Sequence, residues 1–233
     1  MHKKCKLLLV GLLTILPVSE IFSQTRTFSP FSRYGIGEIN NKGFGQNAAM
    51  GGTGIGLRTP YHLNSLNPAA YTAIDTLSFY FESGVSGFYQ TLESAGNSNN
   101  FSEIDFDYFA FGFPVSKRFF ASVGIKPASN AGYSFSNITG DGSDASLQKA
   151  SGIGNLTNLY GGLGVKLSPN LSLGMHVSYW FGNIDHTAFT EFINDPDAYK
   201  FGTKNNIHLN DVLFDFGLQY SNITGKNNRY TLG

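Results

Sequence analysis

Residues Leu171 to Gly182 read L-S-L-G-M-H-V-S-Y-W-F-G and give the clearest indication of the fold class. Every odd-numbered position in it is apolar, whereas small or polar side chains occupy most even-numbered positions. Successive side chains of a β-strand point to opposite faces, so the stretch predicts a strand with one apolar and one mostly polar face. Such a strand suits a wall that has lipid on one side and water or packed polar groups on the other.

The same alternation recurs along the chain. It predicts about six strands and the start of a seventh at Arg229, with the strands near residues 77–92, 103–115, 118–127, 157–167, 171–182 and 207–220. The connections between them alternate in length, and we expect the long ones to be loops at 93–102, 128–156 and 185–206. This alternation is typical of outer-membrane β-barrels, which have short periplasmic turns and long extracellular loops.

The fold class that follows is all-β, an antiparallel transmembrane β-barrel over residues 77–233. Open strand edges are not tolerated in lipid, and six strands with part of a seventh cannot close a barrel. We therefore expect the barrel to be partial here and incomplete at the C-terminus.

The first residues predict export. Lys3, Lys4 and Lys6 precede an apolar run from Leu7 to Leu16, and Ser23 offers a small residue before a cleavage site. Residues 1–23 are therefore predicted to be a signal peptide, since the apolar run is too short to span a bilayer as a membrane anchor. A barrel with a signal peptide belongs in the outer membrane of a Gram-negative bacterium, where lipid is its first partner.

Composition excludes some classes of protein. Charged residues make up 14% of the chain, against ~25% in ordinary soluble domains. Lys+Arg and Asp+Glu are both 16, so no basic field argues for nucleic acid. The chain also holds 21 Phe and 12 Tyr, a content that a soluble β-sandwich would share, so composition alone leaves that alternative open.

Residues 24–76 form a different kind of segment, with little alternation and many glycines. Glycine permits close backbone approach and positive φ angles, and an Asn before Pro favours an extended or turn geometry. We predict that this segment is a plug inside the barrel, with a motif made of Gly51, Gly52, Gly54, Gly56, Asn67, Pro68 and Ala69. A phosphate-binding loop is disfavoured, since no strand precedes the glycines and no Gly-Lys-Ser/Thr ending follows.

Several polar residues share the face opposite the apolar one. They are Glu82, Lys166, His176, Asp215 and Gln219, which we predict to face the lumen and to hold the plug. A Lys or Arg on the lipid face would cost about 2–4 kcal/mol at mid-membrane, which favours this assignment. We predict no catalytic residues, no cofactor and no metal site, because the acidic clusters at 141–144 and 194–197 lack a full calcium ligand set and are more typical of solvated turns.

The Gly-rich stretch, then Asn67-Pro68-Ala69, then an alternating strand is similar to the N-terminal part of the long-chain fatty acid transporter (FadL) family. The resemblance covers about residues 30–90 in motif. It implies a plugged barrel that takes up hydrophobic small molecules passively. The related PorV barrel of type IX secretion offers an alternative, a scaffold that binds protein partners, and a lipid-acting barrel enzyme is a third class. We predict that the protein is not an enzyme.

Overall fold

The structure, a computed structural model, describes residues 29–40, 42–94, 97–141, 145–194, 198–224 and 228–233. The predicted signal peptide lies outside these residues. The strands are β1 (Glu38–Ile39), β2 (Tyr80–Ser94), β3 (Asn97–Pro114), β4 (Phe119–Thr139), β5 (Ser146–Lys166), β6 (Leu171–Phe192), β7 (Phe201–Thr224) and β8 (Asn228–Leu232). The helices are short: α1 (Gly45–Ala49) and two 3-10 helices, η1 (Pro30–Arg33) and η2 (Pro68–Ala73). The prediction of an all-β fold is confirmed.

All eight strands belong to one antiparallel sheet. Strands β2 to β8 follow one another in chain order, each paired with the next, and β1 pairs with β4. Within the described residues β2 and β8 stand at opposite ends of this order and do not pair, so the sheet is not closed. No helix in this part of the chain is long and apolar enough to cross a membrane.

The prediction of long loops was wrong. Strand β4 extends to Thr139 and pairs with β5 from Ser146 onwards, through most of the predicted loop 128–156. Likewise β6 reaches Phe192 and pairs with β7 from Phe201, and β2 continues to Ser94 opposite Asn97. Side chains in these extensions are mostly polar on both faces, so the period-two signal is lost although backbone pairing continues.

The outward face of the sheet is apolar across neighbouring strands. One cross-strand row joins Phe81, Phe111, Val123, Gly161, Val177 and Phe214. The adjacent row contains Leu163, 53% exposed, next to Met175 and Phe216, which is 77% exposed. This continuous band of exposed apolar side chains is larger than the isolated apolar residues that a soluble surface normally shows.

The opposite face, called the inner face here, carries the N-terminal segment, residues 29–79. A buried cluster joins the two and contains Phe44, Leu63, Tyr71, Ile74, Tyr108, Ala110, Phe120 and Tyr160. A second, smaller cluster of Ala128, Ala131, Leu156 and Ile184 lies further along β4 to β6, with Ile36 packed against it. The core of the molecule is therefore the contact between the N-terminal segment and the inner face.

Strands β3 and β4 separate part-way along their length. Their last cross-strand pair is Phe109 with Ile125, although both strands continue for many residues beyond it. Next to this pair each strand carries an extra residue: Asp107 has no counterpart opposite Gly84 and Val85, and Ala128 is skipped in the pairing of β4 with β5. Such bulges bend a strand and increase its local twist, and both lie beside the point where β3 and β4 separate.

Candidate functional site

The centre of the inner face is occupied by η2. Asn67 begins this helix: its Oδ1 accepts the backbone N–H of Ala69 at 3.1 Å, and its Nδ2 donates to the carbonyl oxygens of Ile55 and Leu218 at 3.0 and 3.1 Å. Pro68 is favoured at the first position, because that position leaves a backbone N–H unused in any helix. The Asn-Pro-Ala sequence therefore starts the helix and joins it to β7.

A row of glycines lies directly beneath η2. Gly164, Gly174 and Gly217 are cross-strand partners on β5, β6 and β7. A Cβ atom at Gly174 would overlap the backbone of Pro68 and Ala69, and one at Gly217 would overlap the Asn67 side chain. Glycine is needed here for close backbone approach, so the row forms a flat seat for the helix.

Two side chains of η2 form hydrogen bonds with β6. The Tyr71 hydroxyl lies 2.7 Å from Nε2 of His176, in a hydrogen bond whose direction depends on the histidine tautomer. Burial raises the pKa of Tyr71 well above its usual value, so its hydroxyl stays protonated. One residue further, the Thr72 hydroxyl donates to Oγ of Ser172 at 2.7 Å.

Gln219 attaches the N-terminal segment to β7. Its side chain is 1% exposed and its Nε2 donates to the carbonyl oxygens of Ile55 and Leu57 at 2.8 and 3.2 Å. Its Oε1 accepts from the Arg58 guanidinium at 3.2 Å. Burial and the nearby charge of Arg229 lower the pKa of Arg58. Both ends of the Gln219 amide are therefore satisfied by one short stretch of chain.

The remaining long strands also hold the segment. On β2, Glu82 accepts the Leu63 N–H at 2.7 Å, and on β3 the Tyr108 hydroxyl accepts the Gly45 N–H at 3.0 Å. On β4, the Ser129 hydroxyl donates to the carbonyl oxygen of Ile36. The segment thus contacts β2 to β7, strands that are otherwise joined only to their neighbours.

The predicted lumen residues lie on the inner face in different surroundings. Glu82, His176 and Gln219 contact the N-terminal segment as described. Lys166 instead places its Nζ 4.7 Å from the centre of the Phe120 ring, and Asp215 lines a cavity. The structure does not bring the five side chains together into one cluster.

Among the predicted plug glycines, two have positive φ. Gly51 and Gly52 follow α1 with φ of 71° and 82°. Gly54 packs so closely on the Asn47 side chain that a Cβ would overlap it, and a Cβ at Gly56 would lie 3.3 Å from the carbonyl oxygen of Thr231. Gly51 and Gly52 therefore form a turn after α1, and Gly54 and Gly56 permit close packing.

A cavity of about 720 Å³ lies between the segment and the inner face. Its lining includes Lys126, Asn158, Trp180 and Asp215 from the sheet and Ser65 from the segment. Oγ of Ser65 and Oδ1 of Asn158 are buried without a hydrogen-bond partner. In the described part of the chain no three His, Cys, Asp or Glu side chains are grouped as metal ligands. Parts of the acidic stretches at 141–144 and 194–197 lie outside the described residues.

Sequence reasoning did not single out several residues that the structure brings to this site: Arg58, Tyr71, Thr72, Ser129, Tyr160 and Ser172. The sequence could have indicated such a residue only where a polar or aromatic side chain stands on the face of a predicted strand that otherwise carries small residues. Tyr160 and Ser172 showed that signal, whereas the residues of the N-terminal segment had no periodicity to reveal them.

A comparison with known protein families identifies the family of this chain. The profile of the BamG family matches residues 1–233, the whole chain. The chain belongs to the BamG family. This family is associated with the Bam complex and with the outer membrane of Gram-negative bacteria, which points to protein partners in outer-membrane protein assembly. No curated protein and no solved structure matches the chain.

Membership in the BamG family corrects the predicted family and function. The resemblance to the FadL family was wrong, and so was the predicted uptake of hydrophobic small molecules; the PorV-type alternative is not supported either. The physical reason lies in Asn67-Pro68-Ala69. These residues start a short helix that packs closely on glycines of the sheet. Any sheet that is covered by a segment of chain can need such a helix. The motif therefore does not specify a transported ligand.

Proposed function

We propose that this protein is a non-enzymatic structural subunit in outer-membrane protein assembly. Strands β2 to β8 form part of a β-barrel wall in the outer membrane, and the N-terminal segment is a fixed plug on its inner side. The observation that carries the proposal is the BamG match over residues 1–233, because it links the entire chain, wall and segment together, to the Bam complex.

The outward face supports a place in the membrane. Its apolar positions on β6 run from Leu171 to Phe181, about the length that a tilted strand needs to cross a bilayer. Side chains at the same level on β3, β5 and β7 are also apolar, for example Phe111, Leu163 and Phe214. Lipid would remove this band from water, which favours insertion at about 25 cal/mol per Å² of apolar surface.

The inner face supports a structural role. The N-terminal segment forms hydrogen bonds with five long strands, β2, β3, β4, β6 and β7, and η2 lies against backbone at the glycine row of β5 to β7, so displacing it would break many contacts at once. A plug held in this way favours a rigid body that presents surfaces to protein partners.

Depletion of the protein tests this proposal. We expect cells that lose it to accumulate unfolded outer-membrane proteins, measured as a lower fraction of heat-modifiable, folded barrels in isolated outer membranes. Re-expression of the full chain should restore that fraction. Normal levels of folded barrels after complete depletion would contradict the assembly role.

A further inference from the structure

The separation of β3 and β4 leaves an opening in the sheet, here called the β3–β4 slot. It lies between residues 97–108 of β3 and residues 126–139 of β4, beyond the last pair of Phe109 with Ile125. On its other side β3 pairs with β2, and β4 pairs with β5 up to Thr139. Each strand therefore turns one backbone edge into the slot.

The β4 edge of this slot already binds extended chain. Glu38 and Ile39 of β1 pair with Asn130 and Ser129. Nearby, the Asn40 N–H donates to the carbonyl oxygen of Ala128 at 2.8 Å, and the Ser29 N–H donates to that of Gly132 at 3.2 Å. The edge is thus geometrically able to accept a strand.

Beyond Gly132 the described residues place no further strand against this edge of β4. Backbone groups of a strand point alternately to its two sides, so the residues that face the slot after Ala128 and Gly132 are Ser134, Ser136 and Ile138. Their side chains are exposed, and the described residues supply no backbone partner on that side. The backbone N–H and C=O groups of Tyr133, Phe135 and Asn137 point to the opposite edge, toward their partners on β5.

We propose that the β3–β4 slot is a strand-acceptor site, in which an extended segment of a partner polypeptide pairs with β4 along Ser134–Ile138. This inference rests on the proposed role in the Bam complex and names where that role is exercised. A row of free N–H and C=O groups is complemented by another polypeptide backbone and not by an acyl chain. The two edges converge at the pair of Phe109 with Ile125, which closes the slot at that end.

Amide hydrogen exchange at single-residue resolution tests the site, on the full-length protein alone and on the same protein purified with the Bam complex. In the isolated protein we expect slow exchange at Tyr133, Phe135 and Asn137 and fast exchange at Ser134, Ser136 and Ile138. In the complex, exchange at the second set should slow at least tenfold. Unchanged fast exchange in an intact complex would overturn the slot and leave the proposed function standing. Slow exchange already in the isolated protein would also overturn it.

A matched pair of variants provides the second test. Ser136→Pro removes the N–H that faces the slot without removing a β4–β5 hydrogen bond, since proline is tolerated at strand edges. Ser136→Ala keeps that N–H. We expect Ser136→Pro to reduce co-purification with the Bam complex at least tenfold and Ser136→Ala to stay within twofold of the unmodified protein. Equal recovery of both variants would overturn the proposal, whereas failure of the unmodified protein to co-purify would overturn the proposed function itself.

Discussion

Tyr71 of η2 and His176 of β6 are 105 positions apart in the chain, yet their polar atoms lie 2.7 Å apart in the buried centre of the molecule. The Tyr71 ring is 1% exposed, and His176 is 5% exposed. This pair joins the N-terminal segment to the middle of the sheet, directly beside the glycine row that seats η2. The stability of the whole assembly therefore depends on contacts between distant parts of the sequence.

Replacing Tyr71 tests the strength of that contact. Tyr71→Phe keeps the ring and leaves a buried histidine nitrogen without its partner, so we expect the free energy of unfolding to fall by about 1–3 kcal/mol. Denaturant titration in detergent micelles measures it. Tyr61→Phe is the matched control: Tyr61 is 72% exposed, and this variant should change stability by less than about 0.5 kcal/mol. Equal effects of the two variants would show that the buried hydroxyl contributes nothing.

Adding one methyl group to the glycine row should displace η2. In Gly174→Ala the new Cβ overlaps the backbone of Pro68 and Ala69, and we expect a loss of about 1–3 kcal/mol in unfolding free energy. Gly161→Ala is the control, because a Cβ at Gly161 meets nothing within 4 Å. Equal unfolding free energies of Gly174→Ala and Gly161→Ala would contradict the close packing of η2 on Gly174.

Loss of the Gln219 amide should loosen the N-terminal segment at one place. Gln219→Ala removes the hydrogen bonds from Nε2 to the carbonyl oxygens of Ile55 and Leu57 and the one from the Arg58 guanidinium to Oε1, so each of these groups keeps only its second partner. We expect trypsin to cleave after Arg58 faster in this variant, and the unfolding free energy to fall by at least about 2 kcal/mol. The exposed Gln148 provides the control variant Gln148→Ala, for which the cleavage rate should not change. Resistance of Arg58 in both variants would contradict this prediction.

A charge on the outward face tests the place in the membrane. Leu163→Arg puts a guanidinium into the middle of the apolar band, and we expect folding into lipid vesicles to be destabilised by about 2–4 kcal/mol. Ile153→Arg is the comparison, since Ile153 lies on the same strand in the part beyond the band and is 48% exposed. We expect the second variant to fold normally. Similar folding of both variants would show that the band does not meet lipid.

Part of this fold could be predicted from the sequence, and the limit has a physical cause. Leu171 to Gly182 predicted the start of β6, because one face is apolar and the other is small or polar. The continuation to Phe192 was missed, since side chains that are polar on both faces give no alternation while backbone pairing needs none. The bulge at Ala128 was equally hidden, because it is visible only in the pairing of β4 with β5.

The candidate site was predictable on the sheet side and, in the N-terminal segment, only at Asn67-Pro68-Ala69. His176 and Gln219 stand on a strand face whose polarity is regular, so their orientation follows from their neighbours. Tyr71 and Arg58 lie in a segment without periodicity, and their partners are set by how the whole segment folds back on the sheet. Likewise, Asn67-Pro68-Ala69 specifies a helix start, which explains why it suggested a family that the comparison does not support.

Co-purification tests whether this protein is a subunit of the Bam complex. The full-length protein, tagged and expressed at its native level, is extracted from outer membranes in mild detergent and purified, and the Bam subunits in the eluate are quantified against total outer-membrane protein. We expect Bam subunits to be enriched in near-equal proportion to the tagged protein. Recovery of the tagged protein free of Bam subunits, from membranes in which the complex itself is intact, would contradict it.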